Sequence, residues 1–315
     1  MAEPLLAPPT VPTFYFIGVT TGYSSSKRMF PAWMEALRRP EVVWQGIDLA
    51  IHDDPARYRV VVEHIRKEPL ALGALVTTHK IDLLAACRDL FDELGPYARI
   101  TDEVSSIAKD DGKLVGRATD PVAGGLSLDA ILGADYFART GGEVLLLGAG
   151  GSAVALSLHL LQKQRPGDRP RRLVVINRSA GRLERLAQMV AGFPSDIEFE
   201  FVQNADPARN DALLAAMPPG TLVVNATGMG KDTPGSPLTD TAIFPERATA
   251  WELNYRGELG FLRQAQAQQT ARNLTVADGW DYFIHGWSQV ISHVLHVAID
   301  PPLLARLSEL AAAVR

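Results

Sequence analysis

A single cysteine, Cys87, in 315 residues excludes an intrachain disulfide and any cysteine-cluster metal site. It sits in an apolar, helix-like stretch, where buried packing is its ordinary role. No apolar run is long enough to span a bilayer. The first stretch, MAEPLLAPPTVPTF, lacks the basic start and long apolar core of a signal peptide, and its prolines read as a short extended arm. Excess positive charge is also missing. Lys and Arg number 31 against 36 Asp and Glu, a formal net charge of -5, which argues against a nucleic-acid-binding surface. The histidines, His52, His64, His79, His159, His285, His293 and His296, show no metal-ligand spacing, so no metal is expected; His293 and His296 read as helix-surface or packing residues. There are no repeats and no low-complexity tracts. What is left, 47% hydrophobic and 21% charged, is the composition of a globular protein. The length suggests two domains. A cytoplasmic chain, monomer or homodimer, with no membrane or nucleic-acid partner is the expectation.

The most informative segment is Glu143 to Leu161, EVLLLGAGGSAVALSLHLL. Val144 to Leu147 reads as a buried parallel strand. It runs into Gly148-Ala149-Gly150-Gly151-Ser152-Ala153 and then into a long apolar helix pattern. That is the strand, glycine-rich turn and helix entry of a dinucleotide-binding fold. Gly148 permits the tight turn, Gly150 and Gly151 let backbone N–H groups approach a pyrophosphate, and the helix points its positive end at that anion. The next strand, Leu173 to Ile176, ends in Asn177-Arg178-Ser179, with Arg182 close behind. An NAD site usually places an acid here to accept from the ribose 2′-hydroxyl. This strand end has none. Two arginines stand where a 2′-phosphate would lie, and guanidinium forks suit phosphate oxygens. The pattern favours NADP over NAD.

Elsewhere the pattern alternates strand and helix. Strands are expected at Tyr15 to Val19, Val43 to Ile47 and Ala74 to Val76, and helices at Met29 to Leu37 and Pro55 to Lys67. Val104 to Lys109 and Lys113 to Arg117 flank Asp110-Asp111-Gly112, a hairpin signal. Thr119-Asp120-Pro121 starts a helix, with Asp120 near its N-cap. Pro207 to Met217 is expected as a crossover helix. Thr221 to Val224 is a strand ending in Asn225-Ala226-Thr227-Gly228-Met229-Gly230, which reads equally as a plain turn or as a place where a flat cofactor ring lies against backbone. Trp251 to Tyr255 is expected as the last strand, and Tyr282 to Leu310 as helix returning to the first domain. The expected class is α/β with two domains: an N-terminal α/β substrate domain, 1–122, completed by C-terminal helices 280–315, and a Rossmann-type NADP-binding domain, 123–279.

Taken together and in order, these pieces resemble the shikimate/quinate dehydrogenase family. The matching motifs are Ser24-Ser25-Ser26 after the first strand, Val76-Thr77 with Lys80, and Asp111-Gly112 through Gly116 to Thr119-Asp120. The series continues with Gly148-Ala149-Gly150-Gly151, Asn177-Arg178-Ser179, Asn225-Ala226-Thr227, and Glu252 with Tyr255 where the family has D-x-x-Y. Each is common alone; their order over nearly the whole chain is not. The resemblance implies NADP-dependent hydride transfer between shikimate and 3-dehydroshikimate, or a related cyclic hydroxy-carboxylate, in aromatic amino acid biosynthesis. It implies Lys80 and Asp120 as the catalytic pair. Oxidising a secondary alcohol needs a base for the hydroxyl proton and reducing the ketone needs an acid; Lys80 serves both if its pKa is lowered, and Asp120 holds its ammonium and bonds a substrate hydroxyl. Carboxylate recognition falls to Ser24 and Ser26, expected to alternate on an extended segment, with Tyr255 adding a phenolic donor. Thr77 and Ser105 join the substrate residues, and Met229 and Gly279 join the cofactor backbone.

The chain also departs from the family. Val104-Ser105-Ser106 stands for Val-Asn-Thr, the proline before the lysine is gone, Ala118 replaces an asparagine, and Gly286 replaces a glutamine that Gln289 substitutes one turn later. These changes spare the proton-transfer pair and alter the groups that read substrate hydroxyls, as in a divergent paralogue. The alternatives are an NAD-dependent quinate-type dehydrogenase, which Arg178 and Arg182 disfavour, and a catalytically weak NADP(H)-binding regulator, which has no need of Lys80 and Asp120.

Overall fold

The structure, a computed structural model, describes residues 6–231 and 233–314; the first residues of the proline-bearing arm lie outside it. The chain forms two compact units, one up to Thr119 and again from Gly286, the other Asp120–His285.

In the first unit the elements run β1 (Thr13–Gly18), α1 (Ser26–Ala36), β2 (Val43–Asp48), α2 (Pro55–Lys67), β3 (Ala71–Val76), α3 (Lys80–Cys87), β4 (Glu93–Leu94), α4 (Pro96–Thr101), β5 (Ser106–Asp110) and β6 (Lys113–Arg117). They make a mixed sheet of order β2-β1-β3-β5-β6-β4. β1 is parallel to β2 and β3, and β5 is antiparallel to β3 and β6. Local chemistry explains the pieces. Asp54 accepts from the Ala56 amide, Pro55 opens α2, and Tyr58, Val61, Val62 and Ile65 form the buried stripe that a 3.6-residue period requires. The β5–β6 turn places Asp111 (φ 46°) and Gly112 (φ 78°) in the left-handed region, as a tight hairpin matched to strand twist demands. β1 is buried on both faces. Tyr15 and Ile17 join the α2–α3 core; Phe14 and Phe16 meet Phe30, Trp44 and Trp287. Cys87 is fully buried, and burial pushes its thiol up to about 12.

In the second unit the order is α5 (Asp120–Leu132), α6 (Tyr136–Thr140), β7 (Val144–Leu147), α7 (Gly151–Leu161), β8 (Arg172–Asn177), α8 (Ala180–Ala191), β9 (Glu198–Gln203), α9 (Pro207–Ala215), β10 (Leu222–Asn225), β11 (Thr249–Glu252), α10 (Gly260–Arg272) and β12 (Thr275–Ala277). The sheet, β12-β11-β10-β7-β8-β9, is parallel throughout. β7 is buried at every position, the apolar run that a sheet covered on both faces selects. Strand order reverses between β7 and β10, and a doubly wound sheet binds ligands at the carboxyl ends of such a pair. The expected last strand, Trp251 to Tyr255, is corrected. β11 ends at Glu252, Tyr255 lies beyond it, and β12 follows α10. Among the described residues no helix is long and apolar enough to cross a membrane.

The unit boundary at 285/286 falls inside α11 (Trp280–Leu295), which α12 (Pro301–Ala312) follows. Trp33 Nε1 donates to the Leu307 carbonyl at 2.8 Å, joining α1 to α12. His293 is buried, with Nδ1 2.7 Å from the Ser106 hydroxyl and Nε2 without a hydrogen-bond partner among the described residues. Burial first, then the positive Arg117 and His296, pull its pKa down to about 3. An unfolded histidine takes its proton near pH 6.5, so this group's stabilisation is present above that pH and is lost as pH falls toward the folded value. Between pH 7 and 4.5 the loss should be about 2–3 kcal/mol. Urea unfolding at both pH values tests it: His293→Gln should lose less stability on acidification than the unaltered chain, and equal losses would refute the assignment.

Candidate active site

In the first unit the serine loop is set by Asp48 at the end of β2. Its Oδ1 accepts from the Thr21 amide (2.8 Å) and hydroxyl (2.5 Å). A Cβ at Gly46 would lie 2.1 Å from the Thr21 hydroxyl oxygen, so only glycine fits beneath this turn. The loop then departs from the extended segment expected of it. Ser24 is extended, but Ser25 is helical (φ -58°, ψ -26°) and Ser26 is the first residue of α1. The Ser24 and Ser26 hydroxyls converge through this turn and lie 2.7 Å apart, and Ser24 Oγ also accepts from the Ser26 amide at 3.3 Å. A hydroxyl that satisfies a helix-start N–H competes well with extended backbone. Ser26 is fully buried, and Ser24 is half-buried.

At the end of β3 the Thr77 amide donates to the Ile17 carbonyl (3.0 Å), and the Thr77 carbonyl accepts from the Lys80 amide (3.2 Å). The Lys80 carbonyl accepts from the Val104 amide (3.1 Å). Lys80 therefore opens α3 with its backbone held at both peptide groups. The preceding His79 is buried, its Nδ1 3.0 Å from the Tyr58 hydroxyl, and burial lowers its pKa. Sequence reasoning missed Asp48, Tyr58 and His79 as supports, because each acts across a long stretch of chain.

The Ser105 hydroxyl is engaged within the protein. Its hydroxyl accepts from the Thr119 amide (2.7 Å), meets the Thr119 hydroxyl (2.9 Å) and lies 3.4 Å from the Arg117 carbonyl. One donor and two lone pairs are engaged inside the protein. At 2% exposure, Ser105 anchors Thr119. Gln289 is half-buried on α11.

In the second unit Asp120 is the first residue of α5. Gly148 has φ +113°, and a Cβ there would lie 2.6 Å from the Ala226 carbonyl oxygen, so the β7 and β10 loops approach at backbone distance. Gly150, the N-cap of α7, brings no side-chain oxygen to the first-turn amides, and a Cβ on it would meet nothing within 4 Å. Gly151, Ser152 and Ala153 begin the helix, leaving N–H groups for an anion and open space to seat it. Ser152 Oγ also receives the Tyr282 hydroxyl at 3.5 Å. Asn177 stitches β8 to this turn: its Oδ1 accepts from the Ala149 amide (3.3 Å) and its Nδ2 donates to the Ser179 carbonyl (3.0 Å). Arg178 and Arg182 are exposed, and neither guanidinium pairs with a carboxylate among the described residues. Helix-start amides, an open glycine and uncommitted guanidiniums fit a dinucleotide with a 2′-phosphate.

The ends of β10 and β11 carry a buried polar cluster: Asn225, Thr227 and Glu252 belong to motifs read from sequence, but Asn254 and the bonds that join them are not legible there. Asn225 and Asn254 both bond Glu252, and the Asn225 Oδ1 accepts from the Thr227 amide and hydroxyl. The signal available was an acid closing an otherwise apolar strand, Thr-Ala-Trp-Glu. Gly279 donates to the Asn254 carbonyl at 3.1 Å, and a Cβ there would be 1.9 Å from the Leu253 carbonyl oxygen. Half-buried Tyr255 packs on Phe283 and Trp280, with ring centroids at 4.5 and 5.4 Å. No group of His, Cys, Asp and Glu that could hold a metal occurs among the described residues.

No protein-family model matches the chain. It is 32% identical over 276 residues to a shikimate dehydrogenase (NADP(+)) of Methylocella silvestris, covering 87% of each chain. It is 34% identical over 200 residues to the enzyme of that name from Symbiobacterium thermophilum, covering 62% of this chain and 63% of that relative. The fold is that of quinate dehydrogenase from Corynebacterium glutamicum, solved with NAD, with a TM-score of 0.72, 21% identity, and 96% and 98% of the two chains covered. With the motifs in order, a parallel sheet reversing at the glycine turn, and similarity over most of its length, the chain belongs to the shikimate/quinate dehydrogenase family.

Proposed function

We propose that the protein is an NADP-dependent dehydrogenase that interconverts a CH–OH group and a ketone on shikimate or a related cyclic hydroxy-carboxylate. The observation that carries this reading is the end of β8, where Asn177 replaces the acid of an NAD site and Arg178 and Arg182 stand exposed beside the open glycine turn. NADP, when bound, supplies the hydride acceptor. The chain's own residues do the rest. Lys80 moves the proton at the substrate hydroxyl oxygen, and Asp120 orients the Lys80 ammonium and that hydroxyl. Ser24, Thr77, Tyr255 and Gln289 read the substrate's polar groups. Ser105 contributes by holding Thr119, the residue before Asp120. With Ser105 engaged and Ala118 apolar, fewer groups remain to read ring hydroxyls than a Val-Asn-Thr and Asn-Thr-Asp site offers, which supports a substrate other than shikimate as the preferred one. The test is NADPH formation with shikimate, quinate and related cyclic hydroxy acids. Reduction of NADP by at least one is expected; tight NADPH binding with no turnover of any would favour a regulator.

A further inference from the structure

Glu252 closes β11 with no exposed surface. A carboxylate taken from water must be satisfied by donors. Its Oε2 accepts from Asn225 Nδ2 (2.7 Å), and its Oε1 from Asn254 Nδ2 (2.6 Å) and the Asn254 amide (2.8 Å). Each of those side-chain amides also reaches the Met229 carbonyl, Asn254 at 3.2 Å and Asn225 at 3.4 Å. The Asn225 oxygen accepts from the Thr227 amide and hydroxyl, and the Thr227 hydroxyl accepts from the Met229 amide (3.1 Å). Both the amide and the carbonyl of Met229 are thus linked to one buried acid. The turn so held, with Gly228 at φ +75° and Gly230 at φ +86°, follows β10 next to the glycine turn after β7.

We propose that Glu252 is a positioning residue for the nicotinamide half of the cofactor: through Asn225 and Asn254 it sets the Met229 turn against which that ring lies. This rests on the reading that the β7–β10 crevice takes NADP. The carboxylate matters because it only accepts. It forces both asparagines to point their NH2 groups inward, toward Glu252 and the Met229 carbonyl. An amide at 252 brings its own NH2 group against one of these donors, which turns that asparagine's oxygen toward the Met229 carbonyl and repels it. Protonation of Glu252 has a similar result, since one oxygen becomes a donor. Burial, with the charge of Asp278 adding to it, raises the Glu252 pKa to about 7 against the hydrogen bonds of Asn225 and Asn254. The arrangement should therefore loosen as pH falls through neutrality.

The experiment compares NADPH with adenosine 2′,5′-bisphosphate, which carries the 2′-phosphate half and no nicotinamide. Glu252→Gln should weaken NADPH about tenfold, on the scale of one lost charge-assisted hydrogen bond, and leave the bisphosphate within about twofold. Equal weakening of both ligands, or no change in either, overturns the proposal. If Glu252→Gln does not fold, the unaltered chain decides. Its ratio of NADPH to 2′-phospho-ADP-ribose dissociation constants should rise from pH 8 to pH 6, since both ligands carry the same 2′-phosphate and pyrophosphate and only one carries nicotinamide, and a constant ratio overturns the proposal. An unaltered chain that binds neither ligand overturns the cofactor reading, and this proposal with it.

Discussion

Lys80→Ala should lower kcat by roughly 10²–10⁴, the usual share of general acid–base catalysis, and change KM far less. The fold should tolerate the change. Lys80 holds its place in α3 through backbone bonds, its amide to the Thr77 carbonyl and its carbonyl from the Val104 amide, and alanine keeps both. Alanine is also the best helix former for the first turn it occupies. Asp120→Asn should act in the same direction: Asn keeps a polar side chain of the same size at the first position of α5, while the charge proposed to orient Lys80 is removed. Both effects should appear in rate and not in melting temperature. kcat, KM and Tm for the two variants, on the substrate the screen finds, make the test. Turnover by Lys80→Ala at the unaltered rate would show that another group moves the proton.

Removing Arg178 and Arg182 together should weaken NADP much more than NAD. A charge-assisted phosphate contact is worth about 1.5–3 kcal/mol, so each arginine should account for a loss of about tenfold or more. Because neither guanidinium is committed to a protein carboxylate among the described residues, their loss leaves no orphaned acid behind. Stability should stay within about 0.5 kcal/mol, as for exposed positions generally. Dissociation constants for NADP and NAD on the unaltered and doubly substituted chains decide the matter. Equal affinity of the unaltered protein for both cofactors would remove the assignment at its base.

Much of the architecture is readable from local pattern. Val144 to Leu147, Pro55 to Lys67 and Lys113 to Arg117 take their elements at the expected residues. Each combines a clear period or apolar run with a terminator: the glycine turn, the Asp54-Pro55 start, the Asp111-Gly112 turn. Elements without such signals went unread. α10 buries only Phe261 and Ala265, so it has no apolar stripe to detect; Gln264 and Gln268 instead bond loop carbonyls at Leu238 and Ala242. β4 spans Glu93–Leu94 alone, and β12 only Thr275–Ala277; each forms because a neighbouring strand offers an edge.

The sequence by itself determined the α/β class, the glycine turn at the head of α7, the absence of an acid after β8 and the family, because these are matters of residue type and spacing along the chain. Tertiary structure alone decided what the polar side chains do. Ser105 is taken up by Thr119, Ser106 by His293, and Glu252 by Asn225. The two residues in each of these pairs are far apart in sequence. A buried hydroxyl or carboxylate must find donors and acceptors wherever the fold brings them, and no local pattern records that choice.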